Sequence, residues 1–305
     1  MDAVDGQAPL PRGEEPVELR AQHTGPVLVV GATGKTGRAV AAALVARGVP
    51  VRAAVRPGRE PAAPAGTTAV SVDLVTGVGL EAALEGARAA YHLAPNMHPD
   101  EVGMAHWVAD VAGATGVPRL VFHSVLHPED ARMPHHRRKA EAEVVLREGL
   151  GDRVTVLRPS AYHQNLVGQA RAGMLSVPYS LDAPFTNVDL DDVAQVAADA
   201  LLGAHPGATL DLAGPQVLTT RQMTEEAAAA LGRPVSDRQI TVRQWLAGPG
   251  AGFEEQARHD LAAMFTAYDD GGLVGDTSVL AGLLGRAPAT WMTCVSRSGS
   301  DPYLR

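Results

Sequence analysis

Residues 27–40 read VLVVGATGKTGRAV, four apolar residues running straight into Gly31, Gly34 and Gly37. A strand that must turn at once into a helix needs a residue without Cβ where Gly31 stands. A second glycine at Gly34 lets a ligand approach the backbone closely, and Gly37 lets the helix pack down on the sheet. The amides of the first helical turn and the positive end of the helix dipole then face an anion. Glycine turns are common in isolation. Here the pattern follows an apolar run and opens a helix, the context that makes it a pyrophosphate-binding turn.

The same alternation continues outward. Short apolar runs at 27–30, 51–55, 69–72, 89–93, 120–122, 154–157 and 209–212 predict strands. Between them, 38–47, 80–86, 101–115 and 137–148 predict helices, the first stopping at Gly48. Strands that alternate with helices point to an α/β chain: a doubly wound parallel sheet, the Rossmann fold. Beyond residue 160 the order loosens, with helices expected over 220–231 behind a threonine cap, 253–268 and 277–284. Asp191 and Asp192 are expected to cap a helix that starts beyond them. The predicted organisation is a tail over 1–25, a cofactor-binding domain over 26–160, and a mixed region over 161–305 that completes the sheet and forms a smaller C-terminal substrate-binding lobe.

Composition narrows the function. The chain has 305 residues, 46% apolar, with a net charge of −8 and no long basic run, which argues against direct nucleic-acid binding and for a small-molecule substrate. The single cysteine, Cys294, excludes an internal disulfide, and no apolar run is long enough to span a bilayer, so a cytoplasmic location without a membrane contact is expected. Residues 1–25 mix Pro, Gly and charge without periodicity or the apolar core of a signal peptide. Trp245, Phe253, Met264 and Trp291 are expected in the core rather than at an interface, with the chain a monomer or a homodimer.

The second strand ends Val55-Arg56-Pro57-Gly58-Arg59, where an acid would grip the ribose hydroxyls of NAD. Arg56 instead offers a planar cation for a 2′-phosphate, and Lys35 adds charge from the glycine loop, so NADP(H) is the expected cofactor.

The loop GATGKTG, the strand ending VRAAVRPG, the SVDL that follows the third strand, and KAEAEVVLREGL with VTVLRPSAYHQN together resemble the NmrA-like branch of the atypical short-chain dehydrogenase/reductase superfamily. The stretch from Ser124 to His136 and the segment VDLDDVAQVAADAL carry the same resemblance, which extends over 27–235. It implies that Thr33 and Thr36 line the phosphates, Arg56 the 2′-phosphate, Asp73 and Leu74 the adenine, and that Ala94 and Pro95 border the cofactor. Read from chemistry alone, Asp73 is equally a loop-start cap.

In the wider superfamily a tyrosine pairs with a lysine four residues later on one helix face, the lysine holding the nicotinamide ribose. Lys139 is present, but His135 stands where the tyrosine would be. His135 is therefore a candidate proton donor, with His136 beside it and Tyr162 as the substitute acid. Ser124 ends the fifth strand and is expected to hydrogen-bond a substrate carbonyl, while Tyr162, His163, Gln164 and Asn165 are expected over the nicotinamide. Histidines 123, 127, 135, 136 and 163 match no zinc spacing and no cysteine accompanies them, so no metal is expected. These residues point to an NADPH-dependent reductase delivering hydride to a small carbonyl, enone or quinone. The missing tyrosine leaves two rivals: an NADP(H)-sensing regulator without turnover, and a non-redox isomerase or cyclase of secondary metabolism on the same fold.

Overall fold

The computed structural model describes residues 24–297, so the tail expected over 1–25 lies almost wholly outside the described residues. All seven expected strands form. They are β1 (Val27–Val29), β2 (Val51–Val55), β3 (Thr68–Ser71), β4 (Ala89–His92), β5 (Leu120–His123), β6 (Val154–Pro159) and, after a short β7 (Met174–Val177), β8 (Thr209–Leu212). One sheet runs in the order β3-β2-β1-β4-β5-β6-β8, parallel at every pairing, with Val27 beside both Val51 and Ala89.

Side chains alternate across that sheet and create two cores, as a period of two requires. Val27, Val29, Tyr91, Val121 and Leu157 face α1 (Lys35–Val45) and α6 (Leu190–Leu201). Leu28, Val30, Ala90, Leu120 and Phe122 face the opposite layer, α2 (Leu80–Leu84), α3 (Glu101–Ala114) and α4 (Pro134–Leu150). Strand order reverses between β1 and β4, so the loops after those strands diverge and open a crevice at the carboxyl edge.

The region beyond 160 divides its loyalties. β8, α6 and α10 (Val279–Leu284) join the sheet and its helical layer. A separate core gathers α5 (Val167–Ala172), β7, α7 (Thr220–Leu231), α9 (Glu255–Gly271) and α11 (Trp291–Ser296) over the sheet's carboxyl edge. There β7 pairs in parallel with β9 (Ser236–Gln239), Met174 opposite Ser236, and α8 (Val242–Ala247) follows. The cap of α7 is Thr219, in a reciprocal box with Gln222 at 3.2 and 2.9 Å.

Asp191 and Asp192 do not cap α6. The cap position is Asp189, and both later acids lie in the first turn, where negative charge suits the helix dipole. Asp192 accepts from Arg286 at 2.6 Å and from the Ala289 amide at 2.7 Å, while Asp191 accepts from Arg297 at 3.1 Å, tying the C-terminal segment to the sheet layer. Among the described residues no helix is long and apolar enough to cross a membrane.

Candidate active site

A cleft of about 1090 Å³ runs from the glycine loop to the C-terminal lobe. Gly31 holds a φ of 78°, and a Cβ there would sit 2.9 Å from the Leu93 carbonyl of the neighbouring strand end, so only glycine fits the turn. Gly34 is the extended N-cap of α1, its nearest would-be contact 3.4 Å away, which leaves its outer face open to a ligand. A Cβ on Gly37 would strike the Gly31 carbonyl and lie 2.8 Å from Ala32 Cα; this glycine packs the helix beneath its own loop and does not line the cleft.

Thr33, Lys35, Thr36, Arg56, Asp73, Leu74, Ala94 and Pro95 all line the cleft. Arg56 is exposed at the end of β2, and the Asp73 carboxylate accepts from the Val75 amide at 3.0 Å, a turn cap at the cleft wall. Lys35 departs from its expected direction. Its ammonium donates to Asn165 Oδ1 at 2.6 Å and stands 5.5 Å over the Tyr162 ring, pointing to the substrate end rather than joining Arg56.

Lys139 is buried, donates to the His123 carbonyl at 2.7 Å, pairs with Glu101 at 2.6 Å and lies over the Phe122 ring. Glu101, the fully buried first residue of α3, was not singled out from sequence, where it reads as an ordinary first-turn acid. The other oxygen of that carboxylate is 3.7 Å from His135 Nδ1. His135 lines the cleft, but burial and then the Lys139 charge hold its imidazole well below the usual histidine range. This burial favours the neutral ring over the imidazolium that a proton donor at this position would use.

Tyr162, the other candidate acid, also lines the cleft. Its hydroxyl lies 2.8 Å from His123 Nε2, and the other nitrogen of that ring lies 2.5 Å from the Tyr91 hydroxyl. Burial, then the Lys139 charge, pushes His123 down to about 3, so this ring is neutral and carries one proton. Tyr91 is fully buried, and His123 Nδ1 is its hydroxyl's one partner among the described residues. An unused buried O–H costs about 1–3 kcal/mol, so Tyr91 donates to Nδ1. The ring proton then sits on Nε2 and donates to the Tyr162 oxygen, leaving the Tyr162 proton for the cleft. Burial raises the Tyr162 phenol against a hydrogen bond from Thr36.

Several other expected residues are engaged by partners of their own. Ser124 lines the cleft, yet its hydroxyl donates to buried Glu143, which also takes two bonds from Arg158 at 3.0 and 2.6 Å. That commits the Ser124 proton away from a substrate carbonyl. His163 turns from the cleft onto the Trp291 ring at 5.6 Å, and Gln164 is pinned between Asp189 at 2.6 Å and the Leu190 amide at 3.1 Å. His127 bonds the Val274 carbonyl at 2.7 Å and His136 the His127 carbonyl at 3.1 Å; of the five histidines, His123, His135 and His136 line the cleft and His127 and His163 do not. Trp291 is core, donating to the Met223 carbonyl at 2.7 Å, whereas Trp245, Phe253 and Met264 line the cleft.

Comparison with known proteins places the chain among reductases of this fold. The chain is 35% identical over 225 residues to a (4-alkanoyl-5-oxo-2,5-dihydrofuran-3-yl)methyl phosphate reductase of Streptomyces griseus, covering 71% of this chain and 77% of that protein. It is 30% identical over 227 residues to an NAD(P)H azoreductase of Xenophilus azovorans, covering 72% and 78%. The solved structure of an NADPH-dependent quinone oxidoreductase from Escherichia coli, complexed with NADPH, shares the fold at a TM-score of 0.76 and 24% identity, over 88% of this chain and 98% of that one. The model of the NmrA-like family matches residues 23–287, from ahead of the glycine loop to beyond the last sheet-layer helix. The chain belongs to the NmrA-like family.

Proposed function

We propose that the protein is an NADPH-dependent reductase acting on a small conjugated carbonyl, enone or quinone. The carrying observation is the Tyr162 hydroxyl, held by His123 at 2.8 Å in a cleft that continues into the glycine loop. The cradle made by Gly31 and Gly34 fits a pyrophosphate, and Arg56 at the end of β2 fits a 2′-phosphate. The relatives named as an NAD(P)H azoreductase and a reductase of an unsaturated lactone phosphate support the same cofactor and reaction type.

NADPH, when bound, supplies the hydride. Thr33 and Thr36 stand at the phosphates, Asp73 and Leu74 at the adenine, and Ala94 with Pro95 beside the ring. Lys139, held by Glu101 and the His123 carbonyl, presents its remaining N–H to the nicotinamide ribose. Tyr162 gives its proton to the substrate oxygen that gains the electrons, and the His123 Nε2–H bond steadies the phenolate this leaves. Solvent entering the cleft returns the proton.

The test is anaerobic NADPH oxidation against a panel of quinones and enones, with Tyr162→Phe alongside. Turnover that falls on the order of 10²-fold in the variant, at unchanged NADPH affinity, is the expected result. Tight cofactor binding without turnover of any acceptor would favour the cofactor-sensing reading. Product made without deuterium from labelled NADPH would favour the isomerase reading.

A further inference from the structure

The protein has twelve aromatic residues outside histidine, 4 Phe, 5 Tyr and 3 Trp, and seven of them line one cleft. Tyr162 belongs to the reaction site described above. The other six form an unbroken run of ring contacts across the C-terminal lobe. Tyr268 meets Phe185 at 5.3 Å, Phe185 meets Tyr179 at 5.0 Å, Tyr179 meets Phe265 at 6.1 Å, Phe265 meets Trp245 at 4.9 Å, and Trp245 meets Phe253 at 5.8 Å. In a chain that is only 4% aromatic, this concentration is not a consequence of composition. Nor is it only a packing core, because each of the six also borders the cleft.

The charges are distributed in the opposite sense. Among the described residues, Lys35, Arg56, Asp73 and Lys139 are the acidic and Lys or Arg residues that line the cleft. All four arise from the sheet side, in the glycine loop, at the ends of β2 and β3, and on α4, and only Lys35 reaches forward, as far as Asn165 and Tyr162 and short of the rings of the lobe. Lys139 is paired with Glu101, and Lys35 donates to Asn165. The lobe side is walled by rings, by Met97, Met264 and Leu261, and by the neutral amides of Gln169 and Asn187. Ring faces and edges of this kind hold a flat π-system through offset and edge-to-face contacts, and an unpaired anion buried against them meets no compensating charge.

We infer that the lobe forms an aromatic subsite for an uncharged, flat, aromatic-bodied substrate, whose conjugated carbonyl reaches Tyr162 and whose ring system lies along Tyr268, Phe185, Tyr179 and Phe265. This rests on the reductase reading for the reaction but not for the binding. The rings themselves offer no cation to a phosphate, so the subsite disfavours an anionic group placed among them. Specificity therefore comes from the lobe, while the sheet side supplies the cofactor contacts.

Two measurements test this separately from catalysis. In the first, the NADP⁺-loaded protein is titrated with naphthol and with naphthalene sulfonate by calorimetry. Naphthol is expected to bind at least about tenfold tighter, because the sulfonate gives up hydration without gaining a partner. Equal or tighter sulfonate binding, or no binding of either, overturns the inference. In the second, NADPH oxidation is followed with benzylideneacetone, its para-carboxylate and the alkyl analogue ethylideneacetone. The neutral aryl enone should exceed the carboxylate by about 100-fold in kcat/KM and the alkyl enone by about tenfold, read mainly in KM. A carboxylate or alkyl enone used as well as the aryl enone overturns it. Selective naphthol binding with no turnover of any enone or quinone would sink the reductase reading and leave the aromatic subsite standing. Phe253→Arg, a change at the half-exposed rim that leaves the core intact, should tighten sulfonate binding several-fold, and no change there counts against the subsite.

Discussion

At the residue scale, the proposed chemistry turns on which protons are free. Tyr91 decides the tautomer of His123, and His123 decides that the Tyr162 proton points to the cleft. Tyr91→Phe removes the donor to Nδ1 without opening the core, so the ring can shift its proton and accept from Tyr162 instead. Turnover should fall on the order of tenfold, with NADPH affinity unchanged and the pH profile of kcat displaced, a readout that a packing defect would not move. Cofactor choice is also a residue matter. Arg56→Glu should lower kcat/KM for NADPH on the order of 10- to 100-fold and leave NADH nearly untouched, since only the 2′-phosphate contact is lost. Equal losses for the two cofactors would place Arg56 outside the phosphate site.

At the scale of elements, α9 matters most. Leu261, Met264, Phe265 and Tyr268 recur at helical spacing on one face and turn it to the cleft. What holds that helix over the sheet is its neighbour on the chain's other side of the cleft: fully buried Asp260 of α9 pairs with Arg138 of α4 and accepts from Gln256 at 2.9 Å. Asp260→Ala would strand a largely buried guanidinium. A loss of about 3 kcal/mol is expected by denaturant titration. The aromatic subsite should loosen with it, seen as weaker naphthol binding, while NADP⁺ binding on the sheet side persists.

For the whole molecule, buried imidazoles set the response to acid. Burial, then the Lys139 charge, pushes both His92 and His123 down to about 3, and burial pushes His163 down to about 4. In the unfolded chain each protonates near 6.5. Below that pH the unfolded state takes up protons that the native state refuses, so stability falls as pH falls, from about 6.5 toward the folded values. His92 and His123 alone remove about 3 kcal/mol per pH unit in that window. Thermal unfolding should thus be flat from pH 8 to 7 and decline steeply from pH 6.5 to 5, above the carboxylate range. Asp189 adds a later loss: burial opposes its ionisation, but Arg297 at 2.5 Å and Gln164 at 2.6 Å hold it below its ordinary value. Its contribution is complete above about pH 4 and disappears only as pH falls through that lowered value.

Local chemistry was enough to read the sheet and the glycine-loop side of the cleft. Seven strands, the turn at Gly31 and the cation at Arg56 all follow from short-range rules: apolar runs, a residue that tolerates positive φ, an acid absent from a strand end. Tyr162 was legible as a candidate acid beside His135, but its link through His123 to Tyr91 was not, because that contact joins three strand ends that are far apart in the chain and adjacent only once β4, β5 and β6 pair. Nor could periodicity distinguish the cleft-facing rings of α9 from core, since a helix face buried against a ligand site and one buried against protein have the same spacing. Burial made His135 neutral and joined Glu101 to Lys139, and burial is a property of packing rather than of any local pattern.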